Sequence, residues 1–385
     1  MFTNAILTLN AGSSTLKAAL YSADLTPITT ALIDRIGAET TLTLQGTPLK
    51  SAPITAPDHH AALDALLQAL RDHFPAAQIG AVGHRVVHGG PDRAAPERVT
   101  PDLLTELATL NPLAPLHQPH NLAGIRAAMA AFPQAAQIAC FDTAFHRTQP
   151  WVNDTYALPR EFYDRGIRRY GFHGLSYSFI AQDLRTRAPD LAAGRVIVLH
   201  LGNGASACAM RDARAVSSTM GFSPLDGLPM GTRPGQIDPG VILYLADHDH
   251  RSAAEISDLL YRKSGLLALS NLSSDMRQIE AAATPEAEQA IDYFCARIRR
   301  EIGALTASLE GVDGIVFTGG IGENSPRIRA QVCDGLGWLG VQLDAAANQS
   351  AAGAAQISTG KTAVWVVPTD EERIIAQSVA ALTTP

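Results

Sequence analysis

The chain has little cysteine, and its cysteines lie far apart. Four occur among 385 residues, at Cys140, Cys208, Cys295 and Cys333, and none of them forms a CxxC pair. Structural zinc sites and disulfide-bonded domains need cysteines in closely spaced or paired sets. The spacing therefore argues against both, and it predicts a protein of the reducing cytoplasm.

A surplus of basic residues and long apolar runs are missing as well. The chain carries 30 Lys and Arg against 37 Asp and Glu, and the basic residues are scattered. Proteins that bind nucleic acid concentrate positive charge on one face, and membrane spans or signal peptides need continuous apolar stretches. We therefore expect a soluble, non-secreted protein without a nucleic-acid or membrane partner, in which local groups hold any anionic ligand.

What is present is enough apolar sequence for two domains with separate cores. Hydrophobic residues make up 46% of the chain, and strand-like segments alternate with helix-like ones, which predicts an α/β architecture. Apolar residues three and four positions apart, after Thr284-Pro285 and before Gly311, predict a helix over 291–309. Strands are predicted at 6–10, 81–87, 135–141, 195–201, 314–320 and 362–368.

Two long segments have few helix or strand signals. Residues 91–119 are rich in proline, and residues 227–240 are rich in glycine and proline. A loop of the second kind inside a compact domain is usually functional or disordered. We therefore expect residues 227–240 to form a loop that is either functional or disordered.

Two segments share one plan, in which a strand enters a glycine-containing turn and leaves as a second strand. They are ILTLNAGSSTLKAALYS at 6–22 and VIVLHLGNGASACAMRD at 196–212. Such a turn leaves backbone N–H groups pointing outward, and glycine lets a phosphate approach the main chain. Either hairpin alone is better explained as an ordinary small-residue turn. Side-chain donors are added to the two turns by Ser13, Ser14, Thr15, Lys17, Asn203 and Ser206.

A third segment changes that balance. VFTGGIGENSPRIR at 316–329 runs a buried strand into a turn with Gly319, Gly320 and Gly322, and a helix is predicted to begin at Pro326. The N-terminus of a helix behind a glycine turn binds anions readily. The three segments together favour a protein that binds phosphate groups.

Two other segments suggest different sites. AAQISTGKT at 354–362 satisfies a relaxed P-loop pattern, but a helix-like stretch precedes it and a strand follows it, the reverse of the P-loop order. Lys361 is therefore interpreted as an exposed turn lysine. The run DHDH at 247–250 follows an apolar stretch and is interpreted as the end of a surface helix rather than as a metal cluster.

Nine segments, in chain order, resemble the motif set of the acetate kinase family. They are NAGSSTLK (10–17), GHRVVHGG (83–90), FDTAFH (141–146), RRYGFHG (168–174), HLGNGAS (200–206), MGTRPGQIDPG (230–240), SSDMR (273–277), FTGGIGENSP (317–326) and PTDEER (368–373). Any one of them is a weak signal, but nine in the family's order span almost the whole chain. The resemblance implies two duplicated actin-like ATPase domains, ribonuclease H-like in fold, with a nucleotide cleft between them. These would be residues 1–146 with 372–385, and residues 147–371.

The resemblance also implies a reaction, ATP:acetate phosphotransfer. The γ-phosphoryl group of ATP passes reversibly to acetate and gives acetyl phosphate and ADP, in a homodimer of the cytoplasm. Acetate is ionised at neutral pH, so this nucleophile needs no general base. Repulsion between two anions is the difficulty, and positive charge and alignment must overcome it.

The motifs carry the family's catalytic residues onto this chain. Arg85 and Arg233 match the arginines at the transferring phosphate and the substrate carboxylate, and His173 matches the histidine that stabilises the transition state. Asp142 matches an aspartate described as a proton acceptor; because the nucleophile is already ionised, we expect it to orient an arginine or a magnesium-bound water. Besides Arg85, the resemblance assigns the methyl group of the acid to an apolar pocket of Val87, Leu116, Phe172 and Pro224. It also places His117 near the acid, although His117 could equally pack within a loop.

Nucleotide and metal contacts are implied in the same way. Mg²⁺, with Mn²⁺ as an alternative, is assigned to Asn10 and Glu371, whose oxygen atoms suit such an ion. ATP or ADP is assigned to one lysine and three segments: Lys17; His200, Leu201, Gly202, Asn203 and Gly204; Asp275, Met276 and Arg277; and Gly319, Gly320, Ile321, Gly322 and Glu323.

The chain departs from the usual family pattern at a few positions. Leu175 and Tyr177 replace a more familiar threonine and histidine after GFHG, and Pro234, Gln236 and Asp370 also differ. None of these departures removes a charged catalytic position. Two alternatives are a kinase that prefers propionate or butyrate, and a nucleotide-gated chaperone or filament protein, which would not need the four catalytic residues.

Overall fold

The structure is a computed structural model that describes residues 2–12, 15–47, 51–115 and 117–383. The chain forms two compact units: unit 1 is Met1–Arg147 with Asp370–Pro385, and unit 2 is Thr148–Thr369. The sequence predicts domain boundaries after residues 146 and 371. The two units of the structure are divided after residues 147 and 369. Each unit is built around its own β-sheet.

The strands of unit 1 are β1 (Phe2–Ala11), β2 (Leu16–Tyr21), β3 (Pro27–Asp34), β4 (Thr41–Leu44), β5 (Ala52–Pro53), β6 (Ala77–Val86), β7 (Glu97–Arg98) and β8 (Ala136–Phe141). Those of unit 2 are β9 (Arg195–Leu201), β10 (Ala205–Arg211), β11 (Arg214–Ser218), β12 (Gly314–Thr318), β13 (Ala355–Gln356) and β14 (Ala363–Val366).

The α-helices, in chain order, are α1 (His59–His73), α2 (Pro101–Ala108), α3 (Gln118–Ala131), α4 (Trp151–Asp154), α5 (Arg160–Asp164), α6 (Gly174–Arg187), α7 (Pro189–Ala192), α8 (Pro239–Asp247), α9 (Ala253–Arg262), α10 (Gly265–Ser270), α11 (Met276–Ala282), α12 (Pro285–Leu309), α13 (Gly319–Asn324), α14 (Pro326–Cys333), α15 (Ala345–Ser350) and α16 (Glu371–Thr383). Short 3₁₀ helices cover Asn111–Leu113, Ala144–Thr148 and Gly337–Leu339. Among the helices described, none combines the length and the apolar composition that crossing a bilayer requires.

The sheet of unit 1 has the strand order β5-β4-β3-β2-β1-β6-β8-β7. Strands β1, β2 and β3 form an antiparallel meander, whereas β1, β6 and β8 run parallel. Leu7, Leu20 and Ile33 of this sheet pack against Leu66 of α1 in one apolar core. The C-terminal helix α16 returns to unit 1 and packs on β1 and β6.

Unit 2 repeats the central part of that topology. Its sheet has the order β11-β10-β9-β12-β14-β13, in which β9, β10 and β11 are an antiparallel meander and β9, β12 and β14 run parallel. In both units the third, second and first strands are therefore followed across the sheet by two later strands that run parallel to the first. This is the duplicated ribonuclease H-like, actin-like fold, and it explains the two hairpins of the sequence, since each is the first pair of strands in its sheet.

The strongest helix prediction is confirmed by α12. Thr284 caps it by accepting a hydrogen bond from Ala287 N, and Pro285 occupies its first position. All seven apolar residues of the predicted stripe are buried: Ile291, Phe294, Cys295, Ile298, Ile302, Leu305 and Leu309. The stripe packs on β9 and β10, so its role is core packing.

Three local predictions need correction. Residues 91–119 contain the helix α2, which Thr100 caps and which buries three leucines. The strand predicted at 314–320 ends at Thr318, and the glycines after it belong to α13. The stretch before Lys361 is only partly helical: α15 ends at Ser350, and Ala355–Gln356 form the strand β13, which pairs with β14. Residues 227–238 are a loop, as predicted.

Candidate active site

A first cluster of charged residues lies at the carboxyl edge of the unit 1 sheet. Asn10 and Arg85 are the penultimate residues of β1 and β6, and Asp142 directly follows β8. These strands are parallel neighbours, so their carboxyl ends bring the three side chains together. Arg85 donates from Nε and Nη2 to Asp142 Oδ2 over 3.0 and 2.6 Å, and from Nη1 to Asn10 Oδ1 over 3.0 Å.

Two glutamates at the start of α16 complete this cluster. Glu371 and Glu372 accept hydrogen bonds from Asn10 Nδ2 over 2.9 and 3.2 Å. Burial opposes the charge of Arg85, but Asp142 and the two glutamates outweigh it and raise the pKa of Arg85. Burial, followed by the neighbouring Glu371, raises the pKa of Glu372. A permanent cation and a crowded pair of carboxylates therefore lie side by side.

The glycine turn between β1 and β2 is held by side chains from two helices. Gly12 N donates to Thr15 O over 2.8 Å and closes the turn. His59 Nε2 of α1 lies 2.7 Å from Gly12 O, and Asn121 Nδ2 of α3 donates to Ala11 O over 3.0 Å. The turn assigned to phosphate binding is thus anchored to α1 and α3.

Lys17 lies directly after this turn, opposite Asn10 in the register of β1 and β2. Its side chain is exposed, and its positive charge counteracts part of the upward shift in the pKa of Glu372. Ser13 and Ser14, the hydroxyl donors predicted for the turn, lie outside the described residues.

Of the residues assigned to the acid, Val87 and His117 belong to unit 1. Val87 is buried just after β6, and its backbone N–H donates to Asn121 Oδ1 over 3.0 Å. His117 is half-buried and directly precedes α3. Leu116 lies outside the described residues. Gln118 Oε1 accepts a 3.1 Å hydrogen bond from the backbone N–H of residue 88, which follows Val87 in the chain.

A second cluster lies at the turn between β9 and β10 in unit 2. Gly202, Asn203 and Gly204 form this turn, which closes through a 3.0 Å hydrogen bond from Gly202 N to Gly204 O. Gly231 N donates to Asn203 O over 3.0 Å and ties the turn to the loop at 227–238. The side chain of Leu201 is fully buried, so only its backbone is available to a ligand.

His173 stands beside this turn in an unusual backbone conformation. It directly precedes α6 with φ 58° and ψ 27°, a left-handed conformation that costs a non-glycine residue about 1–3 kcal/mol. Its Nδ1 lies 2.8 Å from Ser206 Oγ, and Tyr177 Oη lies 2.5 Å from the same oxygen. The imidazole of His200 stacks on that of His173 with ring centroids 4.3 Å apart, and His200 Nδ1 lies 2.8 Å from Ser176 Oγ.

Arg233 of the 227–238 loop approaches the same turn. A Cβ added to Gly204 would lie 2.9 Å from Arg233 Nη2 and 3.3 Å from His173 Nε2, so both nitrogens lie against this glycine. Arg233 Nη1 donates to Pro224 O over 2.8 Å. Phe172 and Pro224, assigned to the acid, are buried. Unit 2 therefore holds an imidazole and a guanidinium next to a glycine turn.

The segment 275–277 begins a helix. Asp275 caps α11 by accepting from Arg277 N over 2.9 Å, and the Arg277 guanidinium donates to the same carboxylate and lowers the pKa of Asp275. Met276 is buried in the core. Of the three residues assigned to the nucleotide here, only the outer two present polar side chains.

The glycines after β12 form the first turn of α13. Gly319 has φ +78°, and an added Cβ would lie 2.7 Å from Leu201 O, so this position requires glycine. Glu323 Oε1 accepts from Gly319 N over 2.8 Å and from Thr369 N over 3.2 Å and holds the corner. A Cβ at Gly320, in contrast, would meet no atom within 4 Å.

The titratable side chains of the two competing motifs are exposed. Lys361 is exposed between β13 and β14, so a strand follows it where a P-loop needs a helix. Helix α8 ends at Asp247, and residues 247–250 are exposed, as the sequence predicts. No group of three or more His, Cys, Asp or Glu suited to a metal occurs among the residues that the structure describes.

Some residues around the two clusters were not predicted. Glu372 adjoins Glu371 in the motif PTDEER. The acidic pair in this motif was a signal that could have indicated Glu372 as well. Gln118 and Asn121 gave no signal, because amides three residues apart usually lie on an exposed helix face, whereas here they are buried and bind backbone groups. Tyr177 of α6 reaches Ser206. The sequence showed it only as a departure from the family pattern.

Comparisons with known proteins agree on one family. A model described as the acetokinase family matches residues 5–377. The acetate kinase of Methylocella silvestris is 54% identical over 393 residues, covering 98% of this chain and 97% of that protein, and the acetate kinase of Nitrobacter hamburgensis is 49% identical, covering 98% and 96%. Among solved structures, Porphyromonas gingivalis acetate kinase has a TM-score of 0.87 at 36% identity, covering 99% of this chain and 100% of that one. A propionate kinase from Francisella tularensis has a TM-score of 0.91 at 33% identity, covering 98% and 100%.

Proposed function

The chain belongs to the acetokinase family, and on that premise we propose that it transfers the γ-phosphoryl group of ATP reversibly to acetate, giving acetyl phosphate and ADP. The observation that carries this proposal is the fixed place of Arg85, a permanent cation held by Asp142 and Asn10 beside Glu371. Phosphoryl transfer between two anions needs positive charge close to the reacting groups. A cation at the carboxyl edge of such a sheet, beside carboxylates that suit a metal ion, meets this need.

The reaction forms a bond between an acetate oxygen and the γ-phosphorus, and the bond from phosphorus to the ADP oxygen breaks. No proton is transferred, because acetate is already ionised. Arg85 and Arg233 hold the acid carboxylate and the transferring phosphoryl group, and His173 donates to the charge that develops in the transition state. Asp142 accepts two bonds from Arg85 on a single oxygen, which supports an orienting role rather than a proton-accepting one.

Mg²⁺, or Mn²⁺ in its place, would be held by Glu371 and Asn10. The carboxylate of Glu371 fits, since Mg²⁺ is commonly bound by one or two carboxylates together with substrate phosphates and water. In the structure Asn10 Oδ1 accepts from Arg85, and Asn10 Nδ2 faces Glu371. Burial and Glu371 raise the pKa of Glu372, so this pair of glutamates would gain from a nearby divalent cation. When bound, the ion neutralises charge on the terminal phosphates of ATP.

The nucleotide contacts are assigned to positions that differ in what they offer. Lys17 supplies an exposed ammonium group after the first glycine turn. The segments 200–204, 275–277 and 319–323 supply backbone groups, and an added Cβ at Gly320 would meet no protein atom, which supports close approach of a ligand there.

The size of the acid is assigned to the apolar residues Val87, Leu116, Phe172 and Pro224. An extra methylene on an acid held by apolar side chains changes the transition-state free energy by about 1–3 kcal/mol, so propionate should be a poorer substrate than acetate rather than an excluded one. A kinase that prefers propionate or butyrate is the second candidate, and the similarity to a propionate kinase favours testing it.

A cytoplasmic homodimer is also proposed. Four buried cysteines without disulfides support a reducing compartment. Helix α8 has no buried residue and exposes Val241, Leu243 and Tyr244, an apolar face that supports association of two copies.

The proposal is tested by the reverse reaction. Acetyl phosphate and ADP should give ATP in the presence of Mg²⁺, and propionyl phosphate should give it more slowly. Arg233→Ala should lose activity on the order of 100-fold, and Arg233→Lys should recover only part of it, because an ammonium group lacks the bidentate fork. Absence of ATP formation from every short acyl phosphate would overturn the function, and full activity of Arg233→Ala would overturn that residue's role.

A further inference from the structure

We propose that Tyr177 is a positioning residue for His173: its hydroxyl, acting through Ser206 Oγ, holds the imidazole as the neutral tautomer that carries its proton on Nε2. This inference rests on the proposed function, in which His173 acts on the transferring phosphoryl group. The three side chains form one continuous hydrogen-bonded row, with Ser206 Oγ 2.5 Å from Tyr177 Oη and 2.8 Å from His173 Nδ1.

The chain places these groups together through two regular elements. Tyr177 follows His173 by four residues, so it lies one helical turn along α6 on the same side. Ser206 is on β10, opposite His200 in the register of β9 and β10. The row is therefore built from the helix that begins at His173 and from the hairpin that carries the glycine turn.

The direction of the row follows from the chemistry of its members. Tyr177 is fully buried, and burial raises its pKa well above the usual range, so the phenol keeps its proton. A phenol is a stronger hydrogen-bond donor than a serine hydroxyl, so Tyr177 donates to Ser206 Oγ. The single proton of Ser206 is then directed at His173 Nδ1, which must accept it. The imidazole proton is left on Nε2.

That tautomer presents a donor where the proposed reaction needs one. His173 Nε2 and Arg233 Nη2 both lie against Gly204 of the glycine turn. A neutral Nε2–H donates to a phosphoryl oxygen without placing a second full charge beside Arg233. His200, stacked on His173, would repel an imidazolium there only when it is itself charged. Cys208, the other titratable group near Tyr177, is fully buried with a raised pKa and stays neutral.

Tyrosine has a property here that the histidine more familiar at position 177 does not share. An imidazole at that place can carry its proton on either nitrogen, whereas a buried phenol has one proton on one oxygen, and in this row it gives that proton to Ser206. The departure from the family pattern at Tyr177 therefore gives this chain a row of fixed direction.

The tautomer is measured directly by ¹⁵N NMR of the full chain labelled at histidine, with His173→Gln identifying the resonances of His173. The wild-type protein should show the Nε2–H form near neutral pH. Tyr177→Phe and Ser206→Ala should each lose that uniform state, because Nδ1 no longer faces an obligate donor. The matched control is Tyr170→Phe, whose buried hydroxyl donates to Gly166 O over 2.7 Å; it should leave His173 unchanged.

A kinetic readout accompanies the spectrum. In Tyr177→Phe, Ser206 is free to accept from Nδ1–H, which favours the imidazolium; the acid limb of the kcat profile should move up by roughly half to one pH unit. At neutral pH, kcat should fall about tenfold with a smaller change in KM for ATP. An unchanged His173 spectrum in both Tyr177→Phe and Ser206→Ala overturns the inference. A wild-type chain with the expected spectrum but no acyl phosphate formation contradicts the proposed function instead.

Discussion

Arg85→Ala is expected to lose stability in unit 1 as well as activity, because its partner is buried. The exposed fractions of the Arg85 and Asp142 side chains are 16% and 1%. Removing one member of a buried ion pair leaves an uncompensated charge and costs about 3–5 kcal/mol in the free energy of unfolding. The loss of a preorganised cation from a phosphoryl-transfer site costs in addition about 100-fold or more in kcat.

A double-mutant cycle separates the two effects. Arg85→Ala with Asp142→Ala removes both charges, so most of the lost unfolding free energy should return while kcat stays low. Hydrogen exchange of unit 1 peptides is the suitable measurement. Trp151, Trp338 and Trp365 all belong to unit 2, so tryptophan fluorescence would report on the other unit.

Arg195→Ala is the matched control for this cycle. Arg195 donates from Nε and Nη2 to Asp313 in much the same way, but these side chains are 37% and 40% exposed. Solvent screens such a pair, so its loss should change stability little. The reasoning is refuted if Arg85→Ala unfolds with the wild-type free energy, or if the double variant is no more stable than Arg85→Ala.

Three further changes have definite expected outcomes. Gly320→Val should raise KM for ATP strongly without an equal effect on KM for acetate, because its added atoms enter space free of protein. Lys361→Ala should alter neither turnover nor ATP affinity. The opposite pair of results would assign the nucleotide to residues 354–362 instead. Burial lowers the pKa of His84 from 6.5 to about 4, so unit 1 should lose about 3 kcal/mol of stability as the pH falls through that range. Thermal unfolding of His84→Gln should show a smaller loss, and an equal loss would contradict this cause. Glu371→Gln should raise the Mg²⁺ concentration for half-maximal rate about tenfold or more, and an unchanged requirement would count against this ligand.

Much of the fold was predictable because local patterns and packing agree. The stripe of α12 has a helical period and a capping threonine before it, and β9 and β10 follow one another through a short glycine turn. The helix α13 was not predictable in this way, because its glycines favour a turn. Its first residue is instead held by Glu323, which accepts from Gly319 N, a contact that depends on the folded corner.

The motifs pointed to residues that the structure brings together in unit 1, but not to how those residues pair. The resemblance of the ordered motifs assigned Arg85, Asp142 and Glu371 to the site, and the structure groups these three residues with Asn10. Arg85 donates from two nitrogens to one oxygen of Asp142, and Asn121 donates to Ala11 O. Both contacts depend on distances between segments that are far apart in the chain. Such distances leave no pattern along the sequence.

Trapping of the acyl phosphate tests the assigned reaction most directly. The purified chain is incubated with Mg²⁺, ATP and hydroxylamine together with acetate, propionate or butyrate, and the hydroxamate formed is measured. The account predicts rapid formation with acetate and a decline with each added methylene. Faster reaction with butyrate than with acetate would contradict the substrate, and no hydroxamate from any short acid would contradict the enzyme itself.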